Sequence, residues 1–160
     1  MRQTLLCRFL WMQMLVTAGM MRSKDMQGDA GRFRMLILGI TGGVGSGKSK
    51  ILYDLSNLYG AYIVETDKLA HTLMEPGQTV YQAVVEAFGT EILQAEEPYA
   101  IDRAKFAQIV FADKEKLAQL NALTHPAVKA WIRKDIEEKR KQDVKIYVIE
   151  AALLIQDGYK

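Results

Sequence analysis

The sequence predicts an α/β fold, a parallel sheet flanked by helices, and three observations carry that expectation. The first is a glycine-rich turn with the pattern G-x-x-x-x-G-K-S, Gly42 to Ser49, set between a strand-like and a helix-like run. The second is a pair of further β-rich runs, 61–64 and 144–149, each followed at once by an acid, Glu65 and Glu150. The third is the helical patterning between them, the alternation expected when strands are joined by crossover helices. The chain has 160 residues, 49% hydrophobic and 25% charged, which suits a globular domain with a core.

Residues 1–34 differ in composition from the rest of the chain. They hold six of the eight methionines and the single cysteine, Cys7, which excludes an internal disulfide framework and suits a reducing compartment. Six basic and two acidic residues give this leader a net charge of +4; since the whole chain is +2, the remainder is −2. Bulk charge therefore gives no support to a nucleic-acid partner. Arg2 and Arg8 precede an apolar patch, Phe9–Met12 and Met14–Val16, in the manner of a signal peptide, but Gln13 interrupts the run and it is too short to span a membrane. An organelle-targeting peptide, a disordered extension and a mis-assigned start codon are the three readings. The last is favoured, because Met35 opens the first strand directly. A cytoplasmic protein with no membrane segment is expected; the sequence is silent on oligomeric state.

The run Met35–Leu38 feeds the glycine-rich turn, the pattern of a phosphate-binding loop. Glycines let backbone N–H groups wrap a polyphosphate, and the following helix points its positive end at the same anion. Lys48 would reach the outer phosphates and the Ser49 hydroxyl would ligate Mg²⁺. Ile51, Leu52, Leu55, Leu58 and Tyr59 then recur at helical spacing, and Gly60 is a fitting stop. After the second strand, Asp67 stands where ligands bind in open α/β sheets. It could take a proton from an acceptor hydroxyl, or simply cap the next helix, Lys68–Met74.

An ordered set of segments along the chain resembles the dephospho-CoA kinase family. The set is LGITGGVGSGKS, VETDKLAH, Glu75-Pro76-Gly77, FGTEIL (Phe88–Leu93), IDRAKFAQIVFAD (Ile101–Asp113), LNALTHPAV (Leu120–Val128) and IEAALLI (Ile149–Ile155). The resemblance covers essentially all of residues 35–160. It implies a P-loop kinase-type parallel sheet with an inserted helical substrate lobe, and transfer of the ATP γ-phosphate to the ribose 3′-hydroxyl of dephospho-CoA. It also implies ATP contacts at Gly43, Val44, Gly45, Ser46, Gly47, Lys48, Ser49 and Lys50, and makes Asp67 the second acid of the family's D-x-D motif. Two departures stand out. Glu65 replaces the first acid of that motif, and Lys50 replaces a hydroxyl residue.

Pro76-Gly77 breaks the chain and a run of helical patterns follows, too many for one crossover, so residues 76–143 are expected to form the lobe. Val80, Val84, Val85 and Phe88 give one apolar face, closed by Gly89, and 94–100 reads as a polar loop. Asp102 and Asp113 are expected N-caps. Thr124-His125-Pro126 is expected to start a third helix that buries Val128, Ile132 and Ile136 and exposes a charge-alternating face. Arg103 and Lys105 are candidate contacts for the acceptor's phosphates, or merely solvated; His71, one turn after Asp67, could face the acceptor. No Cys or second His stands at zinc-ligand spacing.

The run Val144–Ile149 should pair beside the first strand, and Glu150 at its end either holds Mg²⁺ through water or caps a turn. In the family two more strands and an arginine-bearing lid come next. If sheet order matches the P-loop kinases, the first strand is central and those strands flank it. Residues 1–160 alone are then expected to bind nucleotide weakly and turn over little. Two other readings are another small-molecule P-loop kinase and a non-catalytic nucleotide-binding fragment. A GTPase is not supported, since no Asn-Lys-x-Asp motif occurs.

Overall fold

The computed structural model describes residues 35–42 and 45–151. The expectations for the leader 1–34, for Gly43 and Val44, and for 152–160 fall outside these residues. The described chain divides into two units, one formed by residues up to Glu65 together with those from Lys139 onward, the other by Thr66–Glu138.

The first unit holds β1 (Leu36–Ile40), α1 (Lys48–Tyr59), β2 (Tyr62–Glu65) and β3 (Ile146–Glu150). All pairings are parallel and the order is β1-β3-β2. β3 thus lies beside β1, as its β-branched run suggests, and it also separates β1 from β2. Within the described sheet β3 is the middle strand and β1 lies at one edge. Tyr147, Val148, Ile149 and Glu150 are all buried, which is why this strand reads as a continuous apolar run instead of an alternating one.

Period-two alternation sorts the sheet's faces. Ile40, Val148 and Ala61 form a core with Leu38, Ile63 and Ile146, and onto it α1 lays Ile51, Leu52 and Leu55. Leu58 and Tyr59, expected on the same stripe, are instead 72% and 64% exposed; the packed face ends at Leu55, one turn before the left-handed Gly60 closes the helix. On the opposite face Tyr62 and Tyr147 lie 5.4 Å apart between ring centroids, and the Lys139 ammonium sits 4.3 Å from the Tyr62 ring.

The second unit is helical: α2 (Thr66–Leu73), α3 (Tyr81–Phe88), a 3₁₀ turn (Thr90–Ile92), α4 (Arg103–Phe111) and most of α5 (Lys114–Lys141). Gly89, at φ +84°, stops α3, its N–H bonded to the Val85 carbonyl. The polar stretch 94–100 is a loop pinched at its base by an antiparallel bridge between Leu93 and Ile101. Asp102 caps α4 by accepting from the Lys105 N–H, and Asp113 accepts from the N–H groups of Glu115 and Lys116. Val84, Ile92, Phe106 and Val110 are buried, and Phe88 meets Phe106 edge-on at 4.9 Å.

Three local expectations are corrected. Pro126 does not open a helix; it lies inside α5, which runs unbroken for 28 residues. A proline there leaves the Ala122 carbonyl without its usual donor, but Thr124, Val128, Ile132 and Asp135 are buried on one stripe that holds the helix together through it. The Thr124 hydroxyl donates to the Leu120 carbonyl at 3.0 Å in the same region. Second, the stripe buries Asp135 in place of Ile136, which is only half-buried. Third, α2 begins at Thr66, so Asp67 is its second residue and not its cap.

Candidate functional site

The glycine turn binds the carboxyl end of β1 to the start of α1. Gly45 and Gly47 both take φ +80°, a left-handed backbone that would strain any residue with a Cβ. Left-handed residues at alternate positions are the ingredient of an anion-binding nest, and the α1 N-terminus adds its partial positive charge. Gly47 is the N-cap and offers no side chain to the helix's first N–H groups, of which that of Lys50 donates to the Gly47 carbonyl at 3.1 Å.

Strand pairing decides what faces this turn. Glu150 pairs with Ile40 on one side and Glu65 on the other, so the carboxyl ends of all three strands form one row. Counting by twos from Val148 and Ile63 puts both acids on the α1 face of the sheet. There the Lys48 ammonium forms an ion pair with the Glu150 carboxylate. The Glu150 side chain is 7% exposed and that of Lys48 22%. A carboxylate this buried needs a partner, and Lys48 supplies it.

The neighbours are less committed. Ser49 is exposed in the first turn of α1. Lys50 turns along the helix, bonded to Asp54 at 2.5 Å. Lys48, Ser49, Glu65 and Glu150 thus belong to one unit, while Asp67, two residues after Glu65, is exposed at the start of α2 in the other.

Within the helical unit a cavity of about 110 Å³ is lined by His71, Met74, Arg103, Phe106, Val110 and Phe111, among others. It is small for a whole cofactor, for which pockets run to several hundred Å³. His71 and Arg103 are therefore brought together. Lys105 is not among the lining residues; it is exposed, and its backbone N–H serves the Asp102 cap. Arg103 donates to the Glu75 carboxylate at 2.5 Å. That partner escaped sequence reasoning, because 28 positions separate the two and no periodicity links them.

The sequence model of the family described as dephospho-CoA kinase (CoaE) matches residues 36–160. The chain belongs to the dephospho-CoA kinase family. The dephospho-CoA kinase of Corynebacterium diphtheriae is 42% identical over 124 residues, covering 78% of this chain and 60% of that protein. That of Carboxydothermus hydrogenoformans is 42% identical over 120 residues, covering 75% and 57%. Among solved structures, TT1252 from Thermus thermophilus superposes with TM-score 0.61 at 30% identity over 79% of this chain and 61% of that one. Dephospho-CoA kinase from Campylobacter jejuni gives TM-score 0.58 at 26% identity over 76% and 59%. The chain thus spans about three fifths of the length of the curated family members it matches. Family membership fits the three parallel strands with flanking helices. No helix among the described residues is long and apolar enough to cross a membrane.

Proposed function

We propose that the protein transfers the γ-phosphoryl group of ATP to the ribose 3′-hydroxyl of dephospho-CoA, in the cytoplasm. The observation that carries this reading is the glycine-rich turn followed at once by Lys48, ion-paired with Glu150 at the end of β3, in a chain of this family. In the reaction Asp67 accepts the proton of the 3′-hydroxyl, and the hydroxyl oxygen forms a bond to the γ-phosphorus. The bond from that phosphorus to the β–γ bridging oxygen breaks, and ADP leaves with the electron pair. Lys48 and the backbone of Gly45–Ser49 offset charge on the phosphates. Gly43, Val44 and Lys50 complete the ATP-binding segment in this reading. His71, Arg103 and Glu65 orient the acceptor, with Lys105 at most peripheral.

Mg²⁺ fits the oxygen donors present. Ser49 would ligate it and Glu150 would hold its water, and when bound it neutralises the β- and γ-phosphate oxygens. Mg²⁺ ordinarily keeps several waters and is held through one or two protein oxygens together with substrate phosphates.

The test is single-turnover transfer from γ-labelled ATP, followed with dephospho-CoA and with a panel of nucleosides and other small alcohols. Label appearing in CoA alone supports the reading. Label on another acceptor points to a different small-molecule kinase, and ATP binding with no transfer to any acceptor leaves a nucleotide-binding protein; either result overturns the proposal.

A further inference from the structure

The cavity of the helical unit has an apolar wall and a charged rim, and the rim pairs the cation Arg103 with an acid. Phe106 and Val110 are buried in the wall, while Phe111 at the edge is 76% exposed. Arg103 is the first residue of α4, held in place by the Asp102 cap behind it. Glu75 lies just past the end of α2 in a fixed turn: its N–H donates to the Thr72 carbonyl at 3.1 Å, and its own carbonyl accepts from Gln78 at 2.9 Å. Pro76 adds stiffness on the C-terminal side. Both residues therefore sit on hydrogen-bonded backbone, and the single bond between their side chains restricts where the guanidinium sits.

That bond is not there for stability. The side chains are 62% and 43% exposed, and a pair so open to water contributes little to folding. What it does restrict is a long side chain that would otherwise sample many rotamers. The bond engages one terminal nitrogen, Nη2, and a guanidinium carries five N–H donors. An anion approaching the remaining donors meets an arginine already oriented.

We propose that Glu75 is a positioning residue: its carboxylate holds the Arg103 guanidinium at the rim of the cavity, ready to receive a phosphate of the acceptor. This rests on the reading that the acceptor is dephospho-CoA. Its diphosphate matches the cation Arg103, and the gem-dimethyl and methylene groups of its pantetheine arm match the apolar wall.

The experiment measures equilibrium binding of dephospho-CoA and of ATP to the 160-residue protein, by calorimetry, for the unmutated chain and for Glu75→Gln, Glu75→Asp, Arg103→Ala and Glu75→Gln with Arg103→Ala. Dephospho-CoA affinity is expected to fall about tenfold in Arg103→Ala and about threefold in Glu75→Gln, with Glu75→Asp recovering part of the loss. The double variant should bind no worse than Arg103→Ala, because Glu75 acts only through the arginine. ATP affinity and melting temperature should stay unchanged throughout, which a merely structural role would not permit. Dephospho-CoA binding unaltered in Glu75→Gln, or losses that multiply in the double variant, overturns the positioning role and leaves the acceptor reading standing. If the unmutated chain binds ATP but not dephospho-CoA, the acceptor reading fails and the proposal falls with it.

Discussion

Breaking the Lys48–Glu150 pair from its two ends should give unequal results, and the inequality follows from burial. Lys48→Met leaves the Glu150 carboxylate, 7% exposed, with no counter-charge; Glu150→Gln leaves the Lys48 ammonium, which keeps 22% of its surface in water. Removing one member of a buried pair costs about 3–5 kcal/mol. Lys48→Met should reach the low end of that, about 3 kcal/mol, because a stranded carboxylate on a central strand has little water to turn to. Glu150→Gln should cost only about 1 kcal/mol, since a lysine on four flexible methylenes can rehydrate its head group. The double variant removes both charges and should be more stable than Lys48→Met alone. Urea unfolding followed by far-ultraviolet circular dichroism measures all three. Equal losses from the two single changes, or a double variant that sums them, would refute the claim that burial of Glu150 is what Lys48 compensates.

Three further outcomes are expected. Gly47→Ala forces a Cβ onto a backbone at φ +80°, so it should cost about 1–2 kcal/mol in the same unfolding assay and weaken ATP binding in calorimetric titration. Asp67→Asn alters an exposed residue, so stability should move by less than about 0.5 kcal/mol and ATP affinity not at all, while single-turnover transfer to dephospho-CoA falls by about 10²–10⁴. Unchanged transfer would remove Asp67 from the chemistry. Pro126→Ala restores an N–H inside α5 and should raise stability by about 1–3 kcal/mol; a loss would mean that the packed stripe requires a bend at this point.

The features legible from sequence are those set by neighbouring residues. Gly60 and Gly89 stop their helices, and Asp102 and Asp113 cap theirs, because each depends on a backbone group within a few positions. Pro126 misleads for the complementary reason. Its local meaning is a helix start, but a buried stripe running from Thr124 to Asp135 outweighs the one hydrogen bond that the ring removes. Leu58 and Tyr59 carry the right spacing for the stripe of α1 and still lie in water, since periodicity tells which side of a helix a residue is on and not how far the sheet beneath it extends.

The candidate site separates along the same line. The residue types at the glycine turn, the acids that close β2 and β3, and the His71 and Arg103 positions can all be named from motif, spacing and family resemblance. Their partners cannot. Lys48 meets Glu150 only because β3, arriving late in the chain, inserts between β1 and β2 and sets its last residue in register with Ile40 and Glu65. A shift of β3 by one residue would turn Glu150 to the opposite face of the sheet. The buried run Tyr147–Ile149, packed on both faces, prevents that slip. Strand order thus sets an acid opposite Lys48 as the hydrogen-bonded turn at Glu75 sets one opposite Arg103: in both places a flexible cation meets an acid whose place the backbone decides.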